Sequence, residues 1–338
     1  MLLLLLLLLM SQKYNSAFDQ VYVGWAKEGG SLGGRWVRSV RATRNKIVSY
    51  RGDVITAFYT SSSGGHTEDN ENVWGGTPLP YLRGVCDPGD YTAANPNRVW
   101  KVRYSAAAVT ARLDGYTGNI GRVTRFTDIE RGVSGRIIWM RVRGGRGSDV
   151  ITGAQFQAGL GLRDDRVWVN RDRNVTGPIR RTYDDANCRP GMATSPEVRV
   201  RGGSRQRFQA GAIYRNAGDV TVWLRGPVYA EYTAVGGVGG GLGLPTSKVA
   251  RVSGAPGCAS GCSRTLFRHG RIYWKSNIGA HALRGRVLSK FLARDGVRGP
   301  LGFPTSRVRK LAGGATTATF QHGSIRCPPP DGGPCTVN

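Results

Sequence analysis

The sequence predicts an α+β, β-rich chain: one mixed unit of hairpins and short helices, followed by tandem small repeats. Three observations carry this. Glycine and proline are abundant, 50 and 16 of 338 residues, which favours many turns and short elements over long helices. Runs rich in β-branched and aromatic residues sit between turn signals in the first half. In the second half one stretch recurs at a fixed offset, the mark of a small supersecondary unit used repeatedly.

Residues 1–10 are almost all leucine, with no basic flank before them. They have the apolar character of an export signal without its charged start. Residues 1–18 are therefore set apart as a degraded signal-like or mis-started segment. Residues 46–59 predict two short strands turning at Arg51-Gly52-Asp53. The polar, glycine-rich run that follows, to Gly76, is a loop. Residues 99–104 are expected as a strand, and Ser105 as the cap of a helix to Leu113. Residues 122–130 and 136–144 predict a hairpin. Thr152 with Gln155 forms a capping box ahead of another short helix. The mixed domain thus spans residues 19–170, and the polar residues 171–200 form a linker.

Residues 201–327 carry the repeats. The stretch from Leu224 aligns without gaps to the stretch from Leu283, an offset of 59 residues. Residues 208–214, FQAGAIY, align with residues 267–273 at the same offset, and a third copy starts at Phe320. Each unit predicts a hairpin at F-x-x-G-x-I, a short helix, and a turn at L-G-x-P-T-S. There Pro245 and Pro304 set the backbone and Gly243 and Gly302 supply freedom. Such units bury their apolar faces only by stacking. The aromatics Tyr214, Trp223, Tyr229, Tyr273 and Trp274 are either this packing or platforms for sugar rings. Residues 328–338 are left as a tail.

The chain carries 48 Lys and Arg against 22 Asp and Glu, a net charge of +26. That predicts attraction to a polyanion: nucleic acid, an anionic membrane surface or an anionic wall polymer. No zinc-finger spacing, basic zipper or aromatic RNA-binding signature supports nucleic acid. No apolar run reaches the roughly 18 residues of a membrane span. Six cysteines in loop-rich surroundings suit disulfides in an oxidising compartment. Local pairing joins Cys258 to Cys262 and Cys327 to Cys335, leaving Cys86 with Cys188. Zinc is the rival, but no histidine stands at ligand spacing from a cysteine pair. No metal and no cofactor are expected.

The chemistry gathers at residues 61–81. Ser61, Ser62, Ser63, Gly64, Gly65, His66 and Thr67 form a polar bend, with Glu68, Asp69, Glu71, Trp74 and Tyr81 close behind. In one reading the hydroxyls and His66 bond a sugar while Trp74 or Tyr81 stacks on it. In the other, the polar groups satisfy turn backbone and the tryptophan is core. A triad drawn from Ser62, His66 and Asp87 lacks a nucleophile elbow.

Two resemblances follow. Leu242-Gly243-Leu244-Pro245-Thr246 and Leu301-Gly302-Phe303-Pro304-Thr305, with the F-x-x-G-x-I-Y stretches between them, resemble the LGFP repeat of actinobacterial envelope proteins. That resemblance implies anchoring to the cell wall. The run of residues 57–68, AFYTSSSGGHTE, then Val73-Trp74-Gly75-Gly76 and Pro80-Tyr81-Leu82, resembles the SpoIID/LytB family (stage II sporulation protein D and amidase enhancers). Gln20-Val21-Tyr22 before it, and Gly153-Ala154-Gln155-Phe156 with Gly161-Leu162 after it, extend the likeness over residues 19–168. This implies an extracellular, wall-associated protein binding peptidoglycan glycan strands. Active members are lytic transglycosylases, whereas enhancers assist a wall amidase. The family's catalytic glutamate segment has no counterpart in this chain, which leaves Glu68 as a stand-in acid. Cleavage would need that carboxyl held protonated near neutral pH.

Overall fold

The computed structural model describes residues 26, 28–58, 60, 62–90, 95, 97, 99–171, 173–258 and 261–338. The leucine-rich start and Ser61 lie outside the described residues. The chain divides into two units, residues 1–60 and 61–338.

In the first unit, helix α1 (Gly33–Ala42) buries only Gly33 and leaves Trp36 and Val40 about half exposed. Strands β1 (Ser49–Tyr50) and β2 (Asp53–Val54) pair antiparallel. Arg51 and Gly52 between them have φ of 53° and 98°, the two left-handed positions that a tight hairpin turn needs.

The second unit begins with the short helix α2 (Asn70–Trp74) and helix α3 (Ala106–Leu113). A three-stranded antiparallel sheet follows, β3 (Val123–Arg131), β4 (Ile137–Gly144) and β5 (Ser148–Thr152), then helix α4 (Gly153–Leu160). Ser105 caps α3 by accepting the amide of Ala108, and Thr152 and Gln155 complete the capping box of α4. Leu113, Met140, Val142, Ile151 and Phe156 form the centre of this core. Residues 99–104, expected as a strand, pair with no strand among the described residues. Instead the run lays Trp100 and Tyr104 on the core, and the Tyr104 hydroxyl donates to Leu160 O at 2.7 Å.

The expected linker contains helix α5 (Gly177–Asp185). Only Ile179 and Tyr183, one turn apart, give it an apolar stripe, so its periodicity is invisible in a polar segment. Three four-stranded antiparallel sheets come next, with a helix after each of the first two. They are β6 (Val198–Val200) to β9 (Thr221–Leu224), then α6 (Gly226–Ala234); β10 (Ala250–Arg251) to β13 (Gly279–Arg284), then α7 (Gly285–Leu292); and β14 (Arg309–Lys310) to β17 (Thr336–Val337). In the first of these sheets, β7 (Gly203–Phe208) and β8 (Gly211–Asn216) form the hairpin. Residues 328–338, expected as a tail, supply β17 and are tied down by Cys327–Cys335. Cys258–Cys262 and Cys86–Cys188 are the other two disulfides.

One aromatic ring per helix holds the array together. Tyr183 of α5 stacks on Phe208 at 5.5 Å, Tyr232 of α6 on Phe267 at 4.9 Å, and Phe291 of α7 on Phe320 at 4.8 Å. The preceding sheet sends an edge against the same ring: Tyr214 meets Tyr232 at 88°, and Tyr273 meets Phe291 at 82°. The turn before each hairpin bridges to the stacked phenylalanine, through Ala193, Pro245 and Pro304. Gly191, Gly243 and Gly302 in those turns have φ of 74°, 69° and 66°. Helix α5 with the turn at Gly191 is therefore a further helix and turn of the same array. At the far side, Arg326 pairs with Thr317 where Tyr214 and Tyr273 pair with Arg205 and Arg264. It is exposed, and a charge replaces the edge-on ring.

Tyr232 is fully buried, and its hydroxyl donates to Gly243 O at 2.9 Å. Replacing it with Ala is expected to cost about 3–5 kcal/mol in urea unfolding. Tyr232→Phe, which keeps the ring, should cost about 1 kcal/mol. Equal losses would place the clasp in the hydroxyl rather than the ring.

Candidate functional site

The bend at residues 62–67 is held from every side by side chains. Ser62 Oγ donates to Asp90 at 3.0 Å and accepts from Asn95 at 3.1 Å. Ser63 is buried; its Oγ donates to Asp87 at 2.8 Å and accepts the Gly65 amide at 3.0 Å. The hydroxyl of Ser63 is thus spent inside the bend and not presented to a ligand. Gly64 and Gly65 turn the chain with φ of 67° and 92°. The carbonyls this exposes are taken by guanidinium groups. Arg136 donates to Ser63 O and His66 O, both at 2.9 Å, and Arg166 donates to Gly64 O. Cys188 Sγ lies 3.8 Å from Gly65 O, and His66 pairs in a bridge with Cys86. The Cys86–Cys188 disulfide therefore ties the bend to the array. Ser62, His66 and Asp87 do not assemble: Ser62 turns to Asp90, while Asp87 takes Ser63.

Glu68 is locked into the tip of the β3–β4 hairpin. Its carboxylate accepts from the side chains of Ser134 and Asn72, and from the amides of Asp69, Val133 and Ser134, at 2.5–3.1 Å. A Cβ on Gly132 would collide with that carboxylate. Burial pushes the group up, but the donors, led by the Ser134 hydroxyl, outweigh it and hold the carboxyl below its ordinary value. An acid for glycan cleavage needs the reverse, so Glu68 serves as a fastener between bend and hairpin.

Beyond it, α2 is organised by the buried Asn70. Asn70 donates to Thr77 O at 3.0 Å and accepts the Leu79 amide at 2.8 Å. Arg83 donates to Glu71 and holds its carboxyl down at about 2. Trp74, the last residue of α2, is 45% exposed, and Gly75 and Gly76 behind it leave open space. Tyr81 is half-buried, and Thr67 spends its hydroxyl on the backbone of Val85. Among the described residues expected to face a sugar, Trp74 is the exposed one.

Sequence reasoning missed Arg136, Arg166, Ser134 and the pair Asp164-Asp165. The charged tetrad of residues 163–166, RDDR, was the available signal. Arg136 reaches Asp164 at 2.7 Å and Asp165 at 3.5 Å. Burial, then the bond and the charge of Asp164, push Asp165 up to about 7 against the pull of Arg136. Among the repeat aromatics, Tyr214 and Tyr273 are buried packing. Trp274 and Tyr229 are half-buried against the core that holds Tyr214.

The LGFP repeat matches residues 191–240 and 242–299, less than half of the chain. Over 71 residues the chain is 38% identical to the amidase enhancer of Bacillus subtilis (strain 168), covering 21% of this chain and 9% of that protein. It is 39% identical over 71 residues to an uncharacterized protein of Brachyspira hyodysenteriae (strain ATCC 49526 / WA1), covering 21% and 18%. The chain thus spans less than a fifth of the length of these curated relatives. Together the similarities point to a cell-wall-related role. Among the described residues no helix is long and apolar enough to cross a membrane.

Asp165 sets a pH dependence. The folded protein keeps a proton that the unfolded chain releases near pH 4, so between about pH 4 and 7 the folded form binds more protons. Stability from this group falls as pH rises through that window and is flat above it. Wild type should lose melting temperature relative to Asp165→Asn between about pH 5 and 7. A gap that does not change with pH counts against the assignment.

Proposed function

We propose that this protein is exported to the cell envelope, binds peptidoglycan glycan strands beside the bend, and assists a wall amidase without cutting the glycan itself. The exposed indole of Trp74, at the end of a helix fastened by Asn70, offers an apolar face to a pyranose ring. The LGFP array holds the protein in the wall, and its positive charge adds attraction to anionic wall polymers, weakened by salt. The likeness of residues 19–168 to the SpoIID/LytB family supports this reading, as does the similarity to an amidase enhancer. Three disulfides suit an oxidising compartment.

One observation carries the choice against cleavage. Glu68, the carboxyl that directly follows the bend in sequence, is saturated by donors and held ionised, whereas lytic cleavage starts by protonating the glycosidic oxygen. The second reading, a SpoIID-type lytic transglycosylase, is favoured by Asp165, which keeps its proton to about pH 7. Its carboxyl, however, lies against the first residue of α4.

Sedimentation with purified sacculi at low salt tests binding, and Trp74→Ala should weaken it about tenfold. A variant that sediments like wild type would remove the indole from the site. Incubation with glycan strands should leave no 1,6-anhydromuramic ends by mass spectrometry, while peptide release by a wall amidase rises. Appearance of those ends would establish the transglycosylase instead.

A further inference from the structure

The positive charge is less evenly placed than the basic residues suggest. Residues 191–338 contain 21 Lys and Arg and only 5 Asp and Glu, a net +16 of the chain's +26. In this array two described ion pairs use that charge, Arg215–Asp219 and Arg307–Glu231. Most of its cations therefore stand without a described acidic neighbour.

At one place two of the chain's cations are gathered on a single ring. Trp223 lies on β9, an edge strand, and is anchored by its indole N–H donating to Ala210 O at 2.9 Å. The guanidinium of Arg225 sits 4.3 Å from its ring centroid and that of Arg189 at 6.0 Å. Both arginines are exposed, and among the described residues no carboxylate lies within ion-pair distance of either. The ring quadrupole attracts each cation, so one indole positions both guanidinium groups. An anion brought to this ring is attracted by both positive charges.

The repeat frame shows that stacking does not require this arrangement. Trp223 pairs with Ile213 across the sheet. In the next copy the partner of Ile272 is Ala282, a small buried residue. The counterpart of Arg225 is Arg284, which packs against the bare backbone of Gly241. The indole and Arg189 are peculiar to the copy nearest the bend, since Ala282 and Gly241 stand at their places in the next one. Arg189 directly follows Cys188, whose disulfide partner Cys86 bridges to His66.

We propose that Arg189, Trp223 and Arg225 form a subsite for the anionic group of a sugar polymer, a carboxylate or a phosphate, accepted by two guanidinium forks that the indole holds in place. The proposal rests on the glycan-binding reading only for the polymer's place in the wall. The test titrates the full chain with polygalacturonate, inorganic polyphosphate and neutral chitohexaose at fixed salt. The anionic polymers should bind, and whichever of the two binds tighter identifies the group. The double variant Arg189→Ala/Arg225→Ala should weaken that binding about tenfold. The charge-matched control Arg294→Ala/Arg309→Ala, at exposed positions elsewhere in the array, should lose less than about threefold. Equal losses in the two variants, no loss in the first, or chitohexaose binding as tightly as the anionic polymers would overturn the subsite. Sedimentation with sacculi read on the same variants keeps the outcomes apart: a subsite that fails while Trp74-dependent sedimentation persists leaves the broader function standing.

Discussion

Everything in the second half of this chain depends on one ring being gripped from two sides. A four-stranded sheet and a helix of eight or nine residues cannot close a core of their own. Tyr232 and Phe291 solve this by each sitting in a core that two sheets share, stacked on the next sheet's phenylalanine and met edge-on by the previous sheet's tyrosine. Offset and edge-to-face contacts are the favourable geometries for aromatic pairs, so the ring transmits position as well as burying area. Tyr183 extends the same grip to α5, and Arg326 brings it to a polar face.

The bend obeys a different constraint. Two consecutive glycines at positive φ leave three carbonyls pointing away from any ladder. A buried carbonyl without a donor is costly. Arg136 and Arg166 supply the donors, and the carboxylates of Asp164, Asp87 and Asp90 balance the charge and orient the serines. The Cys86–Cys188 disulfide then closes a long loop across this arrangement, a constraint that lowers the entropy of the unfolded chain. The bend and the first helix of the array are in this way parts of one structure.

Carboxyls of similar intrinsic acidity end up at opposite extremes here, because proton affinity follows the donors around a group rather than burial alone. Glu68 and Asp165 are both partly buried. Glu68 is surrounded by hydroxyl, amide and backbone donors and stays ionised. Asp165 has a second carboxyl as its neighbour and keeps its proton to near neutrality. Proximity to a motif is therefore a poor guide to which acid could act.

The amino-acid sequence alone determined the periodic half of this protein. The 59-residue offset, the F-x-x-G-x-I hairpins and the glycine-proline turns are local signals, each read from neighbours a few residues apart, and the same holds for the hairpin at Arg51-Gly52 and the caps Ser105 and Thr152. Helix α5, the strand at the tail, the run at 99–104 and the roles of Arg136, Arg166 and Ser134 were decided only by the tertiary structure. Those depend on partners tens of residues away: Glu68 meets Ser134 across 66 positions, and Arg136 reaches Ser63 across 73. A short polar helix gains its stability from the sheet it lands on, and a hydroxyl's availability depends on which carboxylate folds over it. Neither is encoded in any window of the chain.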